Sequence, residues 1–165
     1  MTQILSDTRC APGLQVSEFS EPIQPLRARD IMSLSPLTIT PRTSVHAARA
    51  LMQQCRIRHL PVVEEGRLVG LVSDRDIRLV LPSPATSLAA GELHYLLTKL
   101  TVGQIMSRFV MAVSPECPLP EAIGRMLGHK IGALPVVENR QVVGMLTRTD
   151  VLQAFLKLYA LTDCV

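Results

Sequence analysis

The sequence predicts a mixed α/β (α+β) fold built from two β-α-β-β-α repeats. Residues 60–63 read Leu-Pro-Val-Val and return unchanged at residues 134–137, which lie 74 positions later. Residues 70–76, Gly-Leu-Val-Ser-Asp-Arg-Asp, return at the same spacing as residues 144–150, Gly-Met-Leu-Thr-Arg-Thr-Asp. In each repeat, apolar runs of strand length lie next to an apolar stripe with helical spacing. Because 47% of the 165 residues are hydrophobic, the chain is able to bury a shared core.

The first half of each repeat predicts a helical turn, a short strand and a helix. In the first copy the turn covers residues 29–32, and the strand covers residues 37–40 and ends before Pro41. Ser44 predicts the N-cap of the helix that follows. The apolar positions of this helix and of its counterpart in the second copy offer surface for both a core and an interface; they are Ala48, Leu51, Met52, Ala122, Ile123, Met126 and Leu127.

The second half of each repeat predicts a β-hairpin followed by a helix. In the first copy, residues 57–63 form a strand that contains Pro61. Because proline lacks the N–H that a strand donates, this strand is expected at a sheet edge or with a local irregularity. Residues 65–66, Glu-Gly, predict a tight turn. The return strand covers residues 67–73, and the closing helix covers residues 74–81.

The pattern divides the chain into four segments. Residues 1–26 predict an N-terminal extension, because prolines interrupt any periodicity there; it packs loosely or forms a strap on the body or on a partner subunit. Residues 27–81 form the first repeat. Residues 82–100 form a linker with a helix from residue 92, and residues 101–161 form the second repeat. The last helix has a wide apolar face that a second subunit could share.

Composition argues against several classes of protein. A net charge of +3, no Trp and 3% aromatic residues do not favour a nucleic-acid binder. The four cysteines lack the C-x-x-C spacing of a zinc site and fit reduced thiols in a cytosol. No apolar run reaches the roughly 18 residues that a membrane span needs. The N-terminus shows no secretory leader. We therefore expect a soluble, cytoplasmic protein.

Each repeat carries one candidate binding turn, where a strand ends at a hydroxyl residue and a helix begins. The hydroxyl is Ser73 in the first repeat and Thr147 in the second, and Asp76 and Asp150 follow three positions later. Free N–H groups at a helix start favour anions such as phosphate. The aspartate can complete a capping box, or it can accept hydrogen bonds from two sugar hydroxyls. The residues alone leave both roles open.

The motifs that would indicate catalysis are missing from the sequence. It contains no nucleophile elbow, no P-loop and no metal-binding His-Glu motif. Asp74 and Asp76 lack a third ligand at a suitable spacing, so no metal site is expected. We therefore expect a binding protein without catalytic residues and with no required cofactor.

The order, spacing and duplication of these motifs resemble a tandem pair of CBS domains, the Bateman module, over residues 29–158. The linker is similar to that of acetoin-utilisation (AcuB-type) CBS proteins. This resemblance implies that the repeats pack with pseudo-two-fold symmetry and leave two clefts. Adenosine compounds bind there in the family, so the resemblance implies AMP, ADP, ATP or S-adenosylmethionine as the ligand.

The resemblance also implies roles for individual residues. Asp76 and Asp150 would hold ribose, and Ser73 and Thr147 would contact phosphate with help from Thr149. The adenine walls would be Ile57, Arg58, His59 and Pro61 in one repeat, and Ile131, Gly132, Ala133 and Pro135 in the other. The opposing walls would be Ser33 and Leu37, and Ser107 and Met111.

The two repeats differ in charge near these positions. The first carries Arg56, Arg58, His59, Arg75 and Arg78, whereas the second carries Lys130, Gly132, Ala133 and Arg148. Because guanidinium groups bind phosphate in a bidentate manner, the first repeat is expected to dominate the phosphate end of one cleft. The Gly132–Ala133 side is expected to leave room for a bulkier or less charged group.

Taken together, the sequence predicts a regulatory module that senses an adenine nucleotide or related adenosyl ligand. Binding would alter the packing of the repeats or of a homodimer and would be reported to a protein target that the sequence does not name. Two alternatives remain at this point. One is a structural interaction module with empty clefts, and the other is a weak nucleic-acid binder that uses the basic residues of the first repeat.

Overall fold

The structure is a computed structural model that describes residues 26–81 and 98–162, with side chains as far as residue 158. The first described stretch contains α1 (Ala28–Ile31), β1 (Ser33–Leu34), α2 (Val45–Cys55), β2 (His59–Glu64), β3 (Arg67–Ser73) and α3 (Asp74–Val80). The second contains α4 (Val102–Ile105), α5 (Leu119–Gly128), β4 (Ala133–Glu138), β5 (Gln141–Thr147) and α6 (Arg148–Thr162). The mixed α+β class agrees with the prediction, as does the order helix, hairpin, helix in each repeat.

Both predicted hairpins form, and they have the same register. β2 pairs antiparallel with β3, and β4 pairs antiparallel with β5. Each first strand shifts register one residue after its proline, between Val62 and Val63 and at the corresponding position of β4. The irregularity expected from Pro61 is therefore present. The turn at Glu65 and Gly66 has φ angles of 51° and 76°, the left-handed geometry that a two-residue hairpin turn requires.

The helix predicted after Ser44 also forms, and its cap is the expected one. The Ser44 hydroxyl accepts a hydrogen bond from the Ala47 N–H at 3.2 Å. Much of the apolar surface suggested for an interface lies inside the protein, because Ala48, Met52, Ala122 and Met126 are buried. Of the residues suggested there, Leu127 is largely exposed, at 71%.

The strand predicted over residues 37–40 is reduced to one β-bridge, in which Ile39 pairs in parallel with Val62. Ile39 donates its N–H to the Pro61 carbonyl at 3.1 Å and accepts from Val63 at 2.7 Å. The sequence places Pro36 and Pro41 close on either side, and neither has an N–H to extend the pairing. The two-residue strand β1 was not expected from the sequence.

The first segment of each repeat packs in the hydrophobic core of the other repeat. Ala28, Ile31 and Met32 pack in the core of the second hairpin, while Val102, Ile105 and Met106 pack in the core of the first. β1 adds to β5 to give a three-stranded sheet in the order β1-β5-β4. In the first hairpin, Leu71 of β3 forms two backbone hydrogen bonds with Ser107, of 2.9 and 3.0 Å. Each repeat is thus completed by the start of the other.

Two predicted segments lie largely outside the described residues. These are the N-terminal extension up to residue 25 and the linker from residue 82 to residue 97, which holds most of the predicted linker helix. Thr98 and Lys99 are helical. In the described part of the chain, no helix combines the length and apolar character needed to cross a membrane.

Candidate functional site

A cavity of about 540 Å³ lies between the two repeats. The first repeat contributes the end of β3, the start of α3 and the residues that lead into β2. The second repeat contributes Ser107, residues 109–111, residues 129–133 and Arg148. The exchanged packing explains this arrangement, because Ser107 is hydrogen-bonded to Leu71 of the first repeat. Its volume is in the range of small-molecule sites.

Ten of the predicted site residues line this cavity. Five come from the first repeat and are Arg58, His59, Ser73, Arg75 and Asp76. Five come from the second repeat and are Ser107, Met111, Ile131, Gly132 and Ala133. Residues that are distant in sequence therefore meet in one place.

The other predicted residues lie elsewhere. Pro61 and Pro135 are fully buried, and their carbonyls accept hydrogen bonds from Ile39 and Val113 at 3.1 Å each. Both are therefore part of the strand packing and lie outside the lining of the cavity. Ile57 packs against the first core. Leu37 is exposed, as is Thr149.

Ser33, Thr147 and Asp150 form a second cluster, away from the 540 Å³ cavity. The Ser33 hydroxyl donates to Asp150 Oδ1 at 3.4 Å, and the Thr147 hydroxyl donates to Asp150 Oδ2 at 2.6 Å. Asp150 borders a separate cavity of about 400 Å³ between α1 and α6, which includes Asp30 and Lys157. The structure thus joins Ser33, predicted for an opposing wall, to the hydroxyl and the aspartate of the turn in the second repeat, and both carboxylate oxygens of Asp150 are engaged within the protein.

The Ser73–Asp76 turn forms a capping box. Asp76 Oδ2 accepts from the Ser73 N–H and the Ser73 hydroxyl, both at 2.7 Å, and the Asp76 N–H donates to the hydroxyl at 3.3 Å. The Asp74 N–H donates to the Arg58 carbonyl at 2.9 Å. The N–H groups of these three residues are therefore not free for an anion, which corrects that expectation. Asp76 Oδ1 takes no part in the capping box and remains able to accept from a ligand hydroxyl.

The cavity has an excess of positive charge. Its basic side chains are Arg58, Arg75, Arg78, Lys130 and Arg148, and its carboxylates are Asp74 and Asp76. Arg78 Nη2 lies 2.7 Å from Asp74 Oδ2, in an exposed pair that contributes little to stability. The site prediction did not include Arg78, Lys130 and Arg148, although basic residues beside the two turns were a usable signal. Phe109 was also missed, and it stands fully exposed at the cavity.

Arg148 lies beside Gly132 and His59. A Cβ atom on Gly132 would come within 2.9 Å of Arg148 Nη2 and 3.5 Å of His59 Cε1. The space expected next to Gly132 is therefore filled by the guanidinium group of its own repeat. Glycine allows this close approach because it has no side chain.

His59 is affected by this environment. Burial lowers the pKa of His59, Asp76 opposes the change, and Arg148 and Arg58 lower the pKa further. A neutral imidazole is therefore favoured in the folded protein, so the excess positive charge comes from the arginines and the lysine. No group of three or more His, Cys, Asp or Glu side chains in the described part of the chain could hold a metal ion.

Comparison with known proteins supports the same fold independently of the coordinates. Residues 28–83 and residues 102–157 each match the CBS domain family. The chain is 29% identical over 122 residues to the CBS domain-containing protein YhcV of Bacillus subtilis, covering 74% of this chain and 80% of YhcV. It is 32% identical over 129 residues to the L-aspartate semialdehyde sulfurtransferase of Methanocaldococcus jannaschii, covering 77% of this chain but spanning only 23% of that enzyme.

Solved structures give the same result. An acetoin utilization protein (AcuB) from Vibrio cholerae superposes with a TM-score of 0.69 at 30% identity, covering 84% of this chain and 96% of that one. CBSX2 in complex with AMP gives 0.66 at 31% identity, with coverages of 81% and 98%. The CBS domain pair of MJ0100, in complex with 5′-methylthioadenosine and S-adenosyl-L-methionine, gives 0.66 at 28% identity, with coverages of 79% and 96%. The predicted resemblance and fold class are confirmed.

Proposed function

This chain belongs to the CBS domain family, and from that premise we propose that it is a regulatory module that binds an adenine nucleotide or adenosyl compound. One observation carries the proposal. The 540 Å³ cavity combines the carboxylate of Asp76 with basic side chains from both repeats. A ribose hydroxyl acceptor and a phosphate-binding charge thus lie within one ligand-sized space.

The known complexes of related proteins support this ligand class. CBSX2 was solved with AMP, and the MJ0100 domain pair was solved with 5′-methylthioadenosine and S-adenosyl-L-methionine. These three ligands share an adenosine group. In this chain, Ile131, Ala133 and Met111 supply an apolar surface for the base, and Asp76 Oδ1 supplies an acceptor for the ribose.

The position of the cavity suggests how binding acts on the protein. Its walls come from both repeats, and each repeat also completes the core of the other. A ligand that contacts both walls favours the arrangement in which its contacts are best, and only this difference in affinity drives a response. We propose that the response passes to a partner protein, through a homodimer of this chain. Catalysis is not part of the proposal.

A thermal-shift panel on nucleotide-free protein tests the proposal, with AMP, ADP, ATP and S-adenosylmethionine as ligands. A ligand at 100 times its Kd stabilises the folded state by about 2.7 kcal/mol. That corresponds to a rise in Tm of several degrees for a domain of this size. A panel without any shift would contradict the proposal.

Two matched variants locate the binding site. Asp76→Ala and Asp150→Ala each remove a capping box, so both should lose roughly 1 kcal/mol of stability. Only Asp76 lines the larger cavity, so Asp76→Ala should also abolish the ligand-induced shift while Asp150→Ala keeps it. An equal loss in the two variants would mean that the second predicted cleft binds as well.

A structural interaction module is the second candidate, and one observation favours it. Leu152, Phe155 and Leu156 of α6 are 63%, 56% and 67% exposed, which gives this helix an apolar outer face. If the ligand panel is flat and the protein is nevertheless a stable dimer, this candidate replaces the first.

A further inference from the structure

We propose that the 540 Å³ cavity selects nucleoside di- and triphosphates over AMP, and that it disfavours S-adenosylmethionine. This inference rests on the proposed function and narrows its ligand class.

Most of the cationic groups at the cavity form no ion pair with another residue that the structure describes. Arg78 pairs with Asp74, and Asp76 Oδ2 is taken up by the capping box. Within residues 26–81 and 98–158, the four remaining cations form no ion pair; these are Arg58, Arg75, Lys130 and Arg148. Even with the negative charge of the Asp76 carboxylate counted, these four cations leave a surplus of positive charge around one small space, and a ligand anion between them reduces their mutual repulsion.

The charge on the ligand therefore decides how well it fits. Each phosphate added to AMP brings more negative charge and more acceptor oxygens to the same cations. S-adenosylmethionine instead carries a cationic sulfonium group, which the surplus of guanidinium and ammonium groups repels. The electrostatic order of affinity is thus ATP and ADP first, AMP next and S-adenosylmethionine last.

The sequence repeat shows that this charge is concentrated on one cavity. The positions 74 residues after Arg58, Arg75 and Arg78 hold Gly132, Thr149 and Leu152, none of which is basic. Arg148 takes the position equivalent to Asp74, and its side chain lines the same cavity as the first-repeat arginines. A chain with two equivalent clefts would divide these groups between them, whereas this one collects them at a single site.

Isothermal titration of the full-length, nucleotide-free chain tests the inference with adenosine, AMP, ADP, ATP and S-adenosylmethionine. We expect ADP and ATP to bind at least about tenfold more tightly than AMP, and S-adenosylmethionine more weakly than AMP. The affinity for ATP should fall steeply as salt is raised, because screening weakens interactions between exposed charges. The affinity for adenosine should change little.

Lys130→Ala and Arg148→Ala test the origin of the selectivity, since neither residue belongs to the Ser73–Asp76 capping box. Each should weaken ATP binding by roughly tenfold and reduce the ratio of ATP to AMP affinity. Arg42→Ala makes the same change in net charge at an exposed position outside the cavity and serves as the control. It should leave both affinities unchanged.

The outcomes separate this inference from the proposed function. If AMP or S-adenosylmethionine binds as tightly as ATP, the polyphosphate preference is wrong and the sensor function stands. If ATP is preferred but both variants keep that preference, Lys130 and Arg148 do not cause it and the inference also fails. If none of the five compounds binds, the inference and the proposed function fail together.

Discussion

The role of a side chain in the cavity could be predicted from the sequence only where it depends on residues a few positions away. The spacing of Ser73 and Asp76 indicated a capping box or a sugar contact, and the capping box is present. Arg148 illustrates the opposite case. Its sequence position assigns it to the second turn, yet its side chain lies beside His59 of the first repeat. That contact depends on how the repeats pack, which short-range spacing does not encode.

The stability of the folded protein should depend on pH through His59. Burial lowers the pKa of His59 in the folded protein below the value of 6.5 expected for an exposed histidine. The unfolded chain therefore binds more protons than the folded one in acid. The stability that comes from keeping His59 neutral is present above pH 6.5 and is lost as the pH falls through the folded pKa. Asp76, Arg148, Arg58 and Asp74 are the charged groups that act on it.

Urea unfolding between pH 7.5 and pH 5 measures this effect, and His59→Asn should flatten the decline of stability on the acid side. His129→Asn is the matched control, because its side chain is exposed at the same cavity. It should keep the wild-type decline. An unchanged pH profile in His59→Asn would show that other groups cause the acid sensitivity.

At the scale of elements, local signals worked best for the hairpins and for helix starts. Strand length, the proline irregularity and the two-residue turn are all properties of a few neighbouring residues, and β3 was predicted with its observed bounds, Arg67–Ser73. The strand at residues 37–40 was overpredicted because its pairing reaches only Ile39. The strand β1 was missed because its partner, β5, is distant in the sequence.

The contact between a glycine in a strand and a methionine explains two repeated motifs. A Cβ atom on Gly70 would clash with Met106 Sδ and would lie 3.2 Å from the Ser107 carbonyl oxygen. On Gly144 it would clash with Met32 Sδ and would lie 3.1 Å from the Ser33 carbonyl oxygen. The methionine can move, but the backbone carbonyl is held by strand pairing. The methionine of the Ile-Met motif in each repeat therefore packs against a strand glycine of the other repeat.

Gly70→Ala and Gly144→Ala should each destabilise the protein by about 1–3 kcal/mol, the usual cost of overpacking. Chemical denaturation monitored by circular dichroism measures the change. Gly124→Ala is the control, because a Cβ atom there meets nothing within 4 Å and the residue lies inside α5. That variant should gain about 0.5–1 kcal/mol from helix propensity. Equal effects at all three glycines would argue against the close packing.

For the molecule as a whole, the sequence predicted the repeat, but it did not predict that the first segment of each repeat packs in the core of the other. The two matches to the CBS domain family cover residues 28–83 and 102–157, while each core takes its opening segment from the other repeat. Arg27 and Arg29 reinforce this arrangement through ion pairs with Glu116. The predicted homodimer stays a prediction, and the apolar outer face of α6 offers surface for it.

Double-mutant cycles test the exchange directly. Met32→Ala should relieve the clash created by Gly144→Ala, so this pair should show a coupling of roughly 1 kcal/mol despite its distance in sequence. Gly70 and Met106 should couple in the same way. The crossed pairs, Gly144 with Met106 and Gly70 with Met32, lie within one sequence repeat and should be additive, since the structure places each methionine in the other core. If the crossed pairs couple and the first two do not, the repeats pack as continuous units. A nucleotide in the cavity would then act between two independent bodies, and not on two cores that share their segments.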